Sequence, residues 1–263
     1  MATESLTGKT AFVTGGAKRI GRAIAIVLAR SGADVAISWH SSQQAAARTA
    51  AEIASLGRRA AAMQCDVRSE QSVRAAVAAV VADFGRLDIL VNNAAVFASA
   101  ALESLSLDQW DEVFDTNARG PFLVAREALP HLRAASGRII NIGSLGATHA
   151  WAGHAHYCAS KAALHMLTHA MAKAFAPEIS VNCVAPGWIE MSDSPVSGDE
   201  AAPPPQASIA GRAGSESVRF AAKTPMGRNG SAEEVAQAVL FFATGPHFIT
   251  GQTLDVDGGL GLT

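Results

Sequence analysis

Two short stretches of this chain hold residue types that could do chemistry together. One is Tyr157-Cys158-Ala159-Ser160-Lys161. A tyrosine hydroxyl ordinarily titrates at about 10, too high for easy proton exchange at neutral pH. A lysine four residues on, if both lie in a helix, shares its face one turn away. Its positive charge favours the phenolate and makes Tyr157 a usable acid or base. The other stretch is Val13-Thr14-Gly15-Gly16-Ala17-Lys18-Arg19-Ile20-Gly21. It follows the apolar run Thr10–Val13 and precedes an apolar-periodic run, Ile20–Leu28, so it reads as strand, glycine turn and helix. A helix start offers free N–H groups and the positive end of the dipole, a place for an anion. Gly15 and Gly16 allow a tight turn and close approach to a phosphate, and Gly21 allows the helix to pack near the strand. A dinucleotide pyrophosphate suits this turn, although the spacing is not strictly G-x-G-x-x-G.

These residues need a scaffold, and the pattern supplies one. Strands and helices alternate, which predicts an α/β fold with a parallel sheet wound on both faces. The strands are expected at Thr10–Val13, Asp34–Trp39, Ala60–Cys65, Asp88–Val91, Arg138–Ile142, Ile179–Val184 and Gln252–Val256. Helices are expected at about Arg19–Arg30, Gln43–Leu56, Glu70–Phe84, Ser106–Leu132, His156–Phe175 and from Ser231 to Phe242. Ser106-Leu107-Asp108-Gln109 and Ser231-Ala232-Glu233-Glu234 read as capping boxes. Pro121 is expected to kink or adjust its helix. The stretch 191–223 breaks the rhythm with Pro195 and Pro203-Pro204-Pro205, and reads as a lid over a substrate pocket with a short helix. No linker divides the 263 residues, which suit one large domain with a sizeable core.

Composition excludes several functions. Hydrophobic residues make up 49% and mean hydropathy is +0.19, values foreign to a disordered chain. A net charge of -2 gives no reason to expect nucleic acid or an anionic membrane as partner. No apolar run reaches membrane-spanning length, and the polar start Met1–Lys9 lacks a signal-peptide core. Cys65, Cys158 and Cys183 are widely spaced and match no zinc pattern, so they read as reduced thiols in the cytoplasm. His149, His154 and His156 cluster between Ser144 and Tyr157 but lack a third-ligand pattern, and no metal site is expected.

With Tyr157 and Lys161 in place, nearly the whole chain resembles the short-chain dehydrogenase/reductase family. The resemblance rests on Thr14-Gly15 to Gly21, Asp66-Val67, Val91-Asn92-Asn93-Ala94, Asn117, Ser144, Tyr157, Lys161, Pro186-Gly187 and Gly251-Gln252 to Gly258-Gly259. It implies a single-domain Rossmann fold with a seven-stranded parallel sheet, and hydride transfer between a nicotinamide and a carbonyl or alcohol. Hydride transfer to a ketone leaves an alkoxide that needs a proton, which Tyr157 can give. Ser144, at the end of a strand, can donate a hydrogen bond to the substrate oxygen. The resemblance further implies that Asn117 holds a water linking Lys161 to a proton relay, and that Lys161 binds the nicotinamide ribose. It implies that Asp66 and Val67 flank the adenine, that Asn93 to Ala95 (Ala94 included) line its ribose, and that Ile189, after Pro186-Gly187, touches the nicotinamide amide. It implies a homotetramer, or a homodimer, paired through helices Ser106–Leu132 and His156–Phe175.

The phosphate preference is legible from residue types. In dinucleotide-binding folds an acid after the second strand binds the ribose 2′-hydroxyl. Here that strand ends Ser38-Trp39-His40-Ser41-Ser42, with no carboxylate, and His40, Ser41 and Ser42 can donate to a 2′-phosphate. Lys18 and Arg19 stand at the positive end of a helix dipole, where cations are unfavourable unless they hold an anion. NADP(H) is therefore the expected cofactor, with Gly15, Lys18, Arg19, Ile20 and Gly21 in its cradle.

Departures from the family pattern frame the alternatives. Arg19 stands where most members have glycine, and with His40-Ser41 and Phe97 it resembles the pteridine-reductase branch, where a phenylalanine stacks on the pterin. Ser144 stands where that branch carries an aspartate, and serine suits a carbonyl. The threonine usual after Pro-Gly-x-Ile-x is replaced by Met191. The expected activity is an NADPH-dependent carbonyl reductase, of the 3-oxoacyl-thioester, ketone or sugar type. Asn117, Ser144, Tyr157 and Lys161 are its catalytic set, with Phe97 and His154 beside Ser144 and Tyr157 at the substrate. Reduction of a pterin and a non-catalytic NADP(H) sensor are the alternatives.

Overall fold

The computed structural model describes residues 6–190 and 218–262. Six strands and six helices come first: β1 (Thr10–Val13), α1 (Arg19–Arg30), β2 (Asp34–Trp39), α2 (Gln43–Ser55), β3 (Ala60–Gln64), α3 (Glu70–Phe84), β4 (Ile89–Asn92), α4 (Leu107–Phe114), α5 (Gly120–Ala135), β5 (Arg138–Ile142), α6 (Ala155–Phe175) and β6 (Ser180–Pro186). Then follow β7 (Ile189–Glu190), β8 (Gly230–Ser231), α7 (Ala232–Thr244) and β9 (Thr253–Val256). The main sheet is seven-stranded and parallel, in the order β3-β2-β1-β4-β5-β6-β9. It is the doubly wound α/β fold expected from the alternating pattern.

Alternation along each strand builds two cores. Ala11 and Val13 of β1 join Val35 and Ile37 of β2 under Ile24, Val27 and Leu28 of α1 and Val235 and Val239 of α7. Phe12 and Ala36 point the other way, to Val73, Val77 and Val80 of α3, Val124 and Ala128 of α5, and Met171 of α6. Successive side chains face opposite sides of a sheet, so a strand buried on both sides is apolar throughout. Chain order reverses between β1 and β4, and ligands of open α/β sheets bind outside the carboxyl ends of strands at such a switch point. Among the described residues no helix is long and apolar enough to cross a membrane.

Both capping boxes form, at Ser106–Gln109 and Ser231–Glu234. The expected Ser106–Leu132 helix is instead two helices joined by a π-helical segment, Asp115–Arg119. Pro121 has no N–H to give the carbonyl of Asn117 four residues earlier, and the chain takes a wider turn there. β6 runs on to Pro186, past its expected end at Val184, because Val184–Pro186 pair with Leu254–Val256 of β9. The β7–β8 pair was not expected from the sequence. Of the proposed lid, 191–217 lies outside the described residues, and 218–223 is helical. Phe220 in that helix stacks on Trp188, ring centroids 4.3 Å apart.

Candidate active site

The glycine turn leaves the carboxyl end of β1 at the switch point. Gly15 has φ +64°, the left-handed region that favours glycine, and a Cβ there would meet Ala94 Cα at 3.0 Å. A Cβ on Gly21 would lie 2.3 Å from the Gly15 carbonyl oxygen. The turn is stapled from β4: Asn93 Nδ2 donates to the carbonyls of Thr14 (2.9 Å) and Gly15 (3.1 Å), while Thr14 Oγ1 accepts from the N–H groups of Asn93 and Ala94. No side chain caps the first turn of α1, and that turn holds no acid. Its outermost N–H groups therefore face the cleft in a positive field.

That cleft has a volume of about 520 Å³. Lys18, Arg19, His40, Ser41 and Ser42 line one side of it, Asp66, Val67 and Arg68 another, and Asn93 to Val96 its floor. Arg19 has φ +52°, a left-handed conformation that glycine adopts freely and arginine does not. The glycine usual in the family is thus explained by the backbone, and arginine is held there against local strain.

The second cluster lies on α6 and at the end of β5. A buried polar chain fixes one to the other. Asn92 Nδ2 donates to Asn141 Oδ1 (2.8 Å), Asn141 Nδ2 to Thr168 Oγ1 (2.9 Å), and Thr168 Oγ1 to the Leu164 carbonyl. Lys161, almost fully buried, donates from Nζ to the Ile142 carbonyl at 2.7 Å. Ser144 Oγ accepts from the Gly146 N–H (3.1 Å), and it is close enough to the Tyr157 hydroxyl to act on its titration. Phe97 meets the Tyr157 ring edge-on at 4.8 Å and stacks on His154 at 4.5 Å. Trp151 lies parallel to the Tyr157 ring at 6.2 Å.

Electrostatics here differ from the sequence expectation. Burial raises the Tyr157 hydroxyl above its ordinary range, opposed by the Ser144 hydrogen bond and aided by the nearby Cys158. Lys161 does not lower it in this arrangement, because its Nζ sits 5.8 Å from the ring centroid and is bonded to Ile142. Burial instead pushes Lys161 down to about 8, with Cys183 opposing. Charged groups lose hydration when buried, so a neutral phenol and a weakened ammonium are what a dry site favours.

Asn117 links the two clusters. It is fully buried in the π-helical segment. Its Oδ1 accepts from the Val96 N–H (2.8 Å), and its Nδ2 donates to the Val96 carbonyl (2.9 Å) and to Ser160 Oγ (3.1 Å). The amide thus clamps the cleft floor to α6.

A family model described as Enoyl-(Acyl carrier protein) reductase matches residues 15–261. The chain belongs to the short-chain dehydrogenase/reductase family. It is 35% identical to the 3-oxoacyl-[acyl-carrier-protein] reductase FabG of Staphylococcus aureus (strain Mu50 / ATCC 700699), over 96% of this chain and 98% of that one. A dehydrogenase/reductase from Sinorhizobium meliloti 1021 is 38% identical, with TM-score 0.85 over 97% of this chain and 96% of that one. A short chain dehydrogenase from Burkholderia cenocepacia J2315, solved in complex with NADP, is 38% identical, with TM-score 0.85 over 98% and 99% of the two chains.

Within this oxidoreductase family member, the residues singled out from sequence fall into place unevenly. Gly15, Lys18 to Gly21, His40 to Ser42, Asp66, Val67, Asn93 and Ala94 converge on one cleft. Ser144, Tyr157, Lys161, Phe97 and His154 form the neighbouring cluster. Pro186 ends β6 beside the end of β5, Gly187 donates its N–H to the Val256 carbonyl, and Ile189 is buried in the core while its strand pairs with Gly230. His149 bonds the Gly261 carbonyl and Thr148, and His156 is fully buried. Trp151 and Arg68 were missed. Trp151 stood in a stretch without periodicity, and Arg68 gave a visible signal, a cation two residues after the cleft carboxylate Asp66.

Proposed function

We propose that this protein is an NADP(H)-dependent reductase of carbonyl compounds, with Tyr157 as proton donor. Tyr157, Ser144 and buried Lys161, gathered at the end of β5, carry this reading, because they set two hydroxyls where one oxygen of a substrate can meet both. The cleft fits a phosphorylated dinucleotide. Its glycine turn leaves no room for a Cβ at Gly21, its helix start is uncapped, and Lys18, Arg19 and His40 stand where no acid follows β2. When bound, the nicotinamide supplies or accepts the hydride.

The chain's own residues handle the proton and the oxygen. Ser144, whose Oγ already accepts from Gly146, keeps its O–H to donate to the substrate oxygen. Tyr157, held neutral by burial, gives its proton to the oxygen as negative charge develops there. Lys161, whose Nζ meets the Ile142 carbonyl here, would hold the nicotinamide ribose beside Tyr157. The Asn117 carbonyl, left without its α-helical donor by Pro121, is an acceptor for a water that returns a proton through Lys161. The likeness to a 3-oxoacyl-[acyl-carrier-protein] reductase favours a 3-oxoacyl thioester among carbonyl substrates.

A second reading, reduction of a pterin, is favoured by one observation, the Phe97 ring set against Tyr157. Ser144 in place of an acid speaks against it. NADPH oxidation followed at 340 nm decides between them, with 3-oxoacyl thioesters, sugars and diketones set against dihydropteridines and dihydrofolate. Carbonyl turnover is expected. Pterin turnover alone would replace the first reading by the second, and NADPH binding without any turnover would leave a cofactor-binding sensor.

Arg19→Gly is a separate expected result. Glycine relieves about 1 kcal/mol of left-handed strain but adds about 1 kcal/mol of unfolded-chain entropy, so the urea midpoint should barely move. NADPH affinity should fall about tenfold, the value of one charge-assisted contact, and NADH affinity should not. An equal effect on both would remove Arg19 from the 2′-phosphate site.

A further inference from the structure

We propose that Arg68 determines phosphate specificity in the dinucleotide cleft, by neutralising Asp66 so that the ribose side accepts a phosphomonoester. This rests on the NADP(H) reading of the same cleft. Asp66 holds a two-pronged pair with Arg68: Nε donates to Oδ1 and Nη2 to Oδ2, each at 2.9 Å, and the Arg68 N–H adds a third bond to Oδ1 at 3.0 Å. On the other flank of the same carboxylate, His40 Nε2 lies 3.7 Å from Oδ2. His40, Asp66 and Arg68 are therefore linked side by side, in the same cleft as Lys18 and Arg19.

The link matters because of what a bare carboxylate would do there. An acid at the end of the second strand selects a ribose hydroxyl by accepting from it and repelling a phosphate. This chain has no acid there, yet Asp66 brings one within reach of His40 from the next strand. The Arg68 pair holds the Asp66 carboxyl below the usual carboxylate range, so it is an anion at neutral pH. Only a cation, not a proton, can cancel it. Among the described lining residues, Lys18, Arg19 and Arg68 are the permanent cations, and Asp66 and Glu112 the carboxylates. Removing Arg68 takes that lining from a single excess positive charge to none, with His40 neutral. The two side chains are 35% and 30% exposed, so solvent screens the pair only in part. A guanidinium fork matches both oxygens at once and turns them away from the ligand, which a lysine does less well.

The bland alternative is that Arg68 only shapes the turn after β3, where the Asp66 N–H also donates to Ser72 Oγ at 3.0 Å. A turn-shaping role would weaken NADPH and NADH alike. The test is fluorescence titration of both dinucleotides with the wild type, Arg68→Gln, Arg68→Lys and the double variant Asp66→Asn/Arg68→Gln. For Arg68→Gln the ratio Kd(NADH)/Kd(NADPH) should fall about tenfold, through NADPH alone, and high salt should shrink the difference. Arg68→Lys should keep most of the ratio. The double variant, lacking the carboxylate, should recover it, a coupling that a turn-shaping role does not produce. Equal losses for both dinucleotides, an unchanged ratio in Arg68→Gln, or no recovery in the double variant would overturn the proposal. A wild type that binds NADH as tightly as NADPH would overturn the cofactor reading instead.

Discussion

Tyr157→Phe is expected to lower kcat by about a thousandfold, the range of a lost general acid, while NADPH affinity stays within about twofold. The substitution keeps the ring, with the Phe97 edge and the Trp151 stack upon it and the Lys161 ammonium above it. It removes one hydroxyl and its interaction with Ser144. The stability cost is at most about 1 kcal/mol, the net value of one hydrogen bond, and less because a buried hydroxyl no longer loses its hydration. Activity and folding are thus separable at this position. Steady-state NADPH oxidation and a binding titration on the same preparation check it. Surviving turnover would mean that another group gives the proton, and a loss of NADPH binding would mean that the hydroxyl holds the cofactor instead.

The burial that raises Tyr157 also sets the proton state of the site. A phenol kept neutral, beside a lysine pushed down to about 8, is poised to donate rather than to accept at neutral pH. In the proposed reaction that proton state serves the reductive step at neutral pH. Oxidation of the alcohol is expected to gain as pH rises towards the phenol's own range.

Much of this was legible in the sequence because period and punctuation are local. Continuous apolar runs gave β1 and β4, helical spacing gave α3, and Ser106 and Ser231 announced their helices through their own capping bonds. What was hidden depends on partners far away in the chain. The extension of β6 is set by β9. The π-helical turn at Asp115–Arg119 needed the joint effect of Pro121 and the Val96–Asn117 clamp. The sign of the shift at Tyr157 is set by how deep the ring lies, which no Tyr-x-x-x-Lys spacing records. Arg68 was in plain view, but its partner could be judged only once β2 and β3 lay side by side with His40 facing Asp66. Arg19 is a similar case: that it stands where the family has glycine is visible in the sequence, but the left-handed backbone behind that preference is seen only in the fold.

Gly21→Ala is the second large effect, and its sign opposes local propensity. Alanine inside a helix is worth about 1 kcal/mol over glycine, so a helix considered alone would be stabilised. In the fold, the added Cβ would stand 2.3 Å from the Gly15 carbonyl oxygen and 2.5 Å from Asn93 Nδ2. Neither can withdraw cheaply. Asn93 is bonded to the carbonyls of Thr14 and Gly15, and Ala94 lies so near Gly15 that a Cβ there would meet it at 3.0 Å. The turn must open, breaking the staple and displacing the N–H groups that face the pyrophosphate. The expected cost is about 2–3 kcal/mol of stability, in the range of overpacked sites, with a loss of dinucleotide affinity of about a hundredfold or more. Gly57→Ala is the matched control. Gly57 has φ +76° and nothing within 4 Å of its Cβ position, so it should cost about 1 kcal/mol through backbone strain alone and leave binding unchanged. Urea midpoints and NADPH titrations of the two variants separate crowding from strain. A Gly21→Ala protein that gained stability and kept its affinity would show that the helix start does not approach the turn this closely, and that the phosphates are held elsewhere.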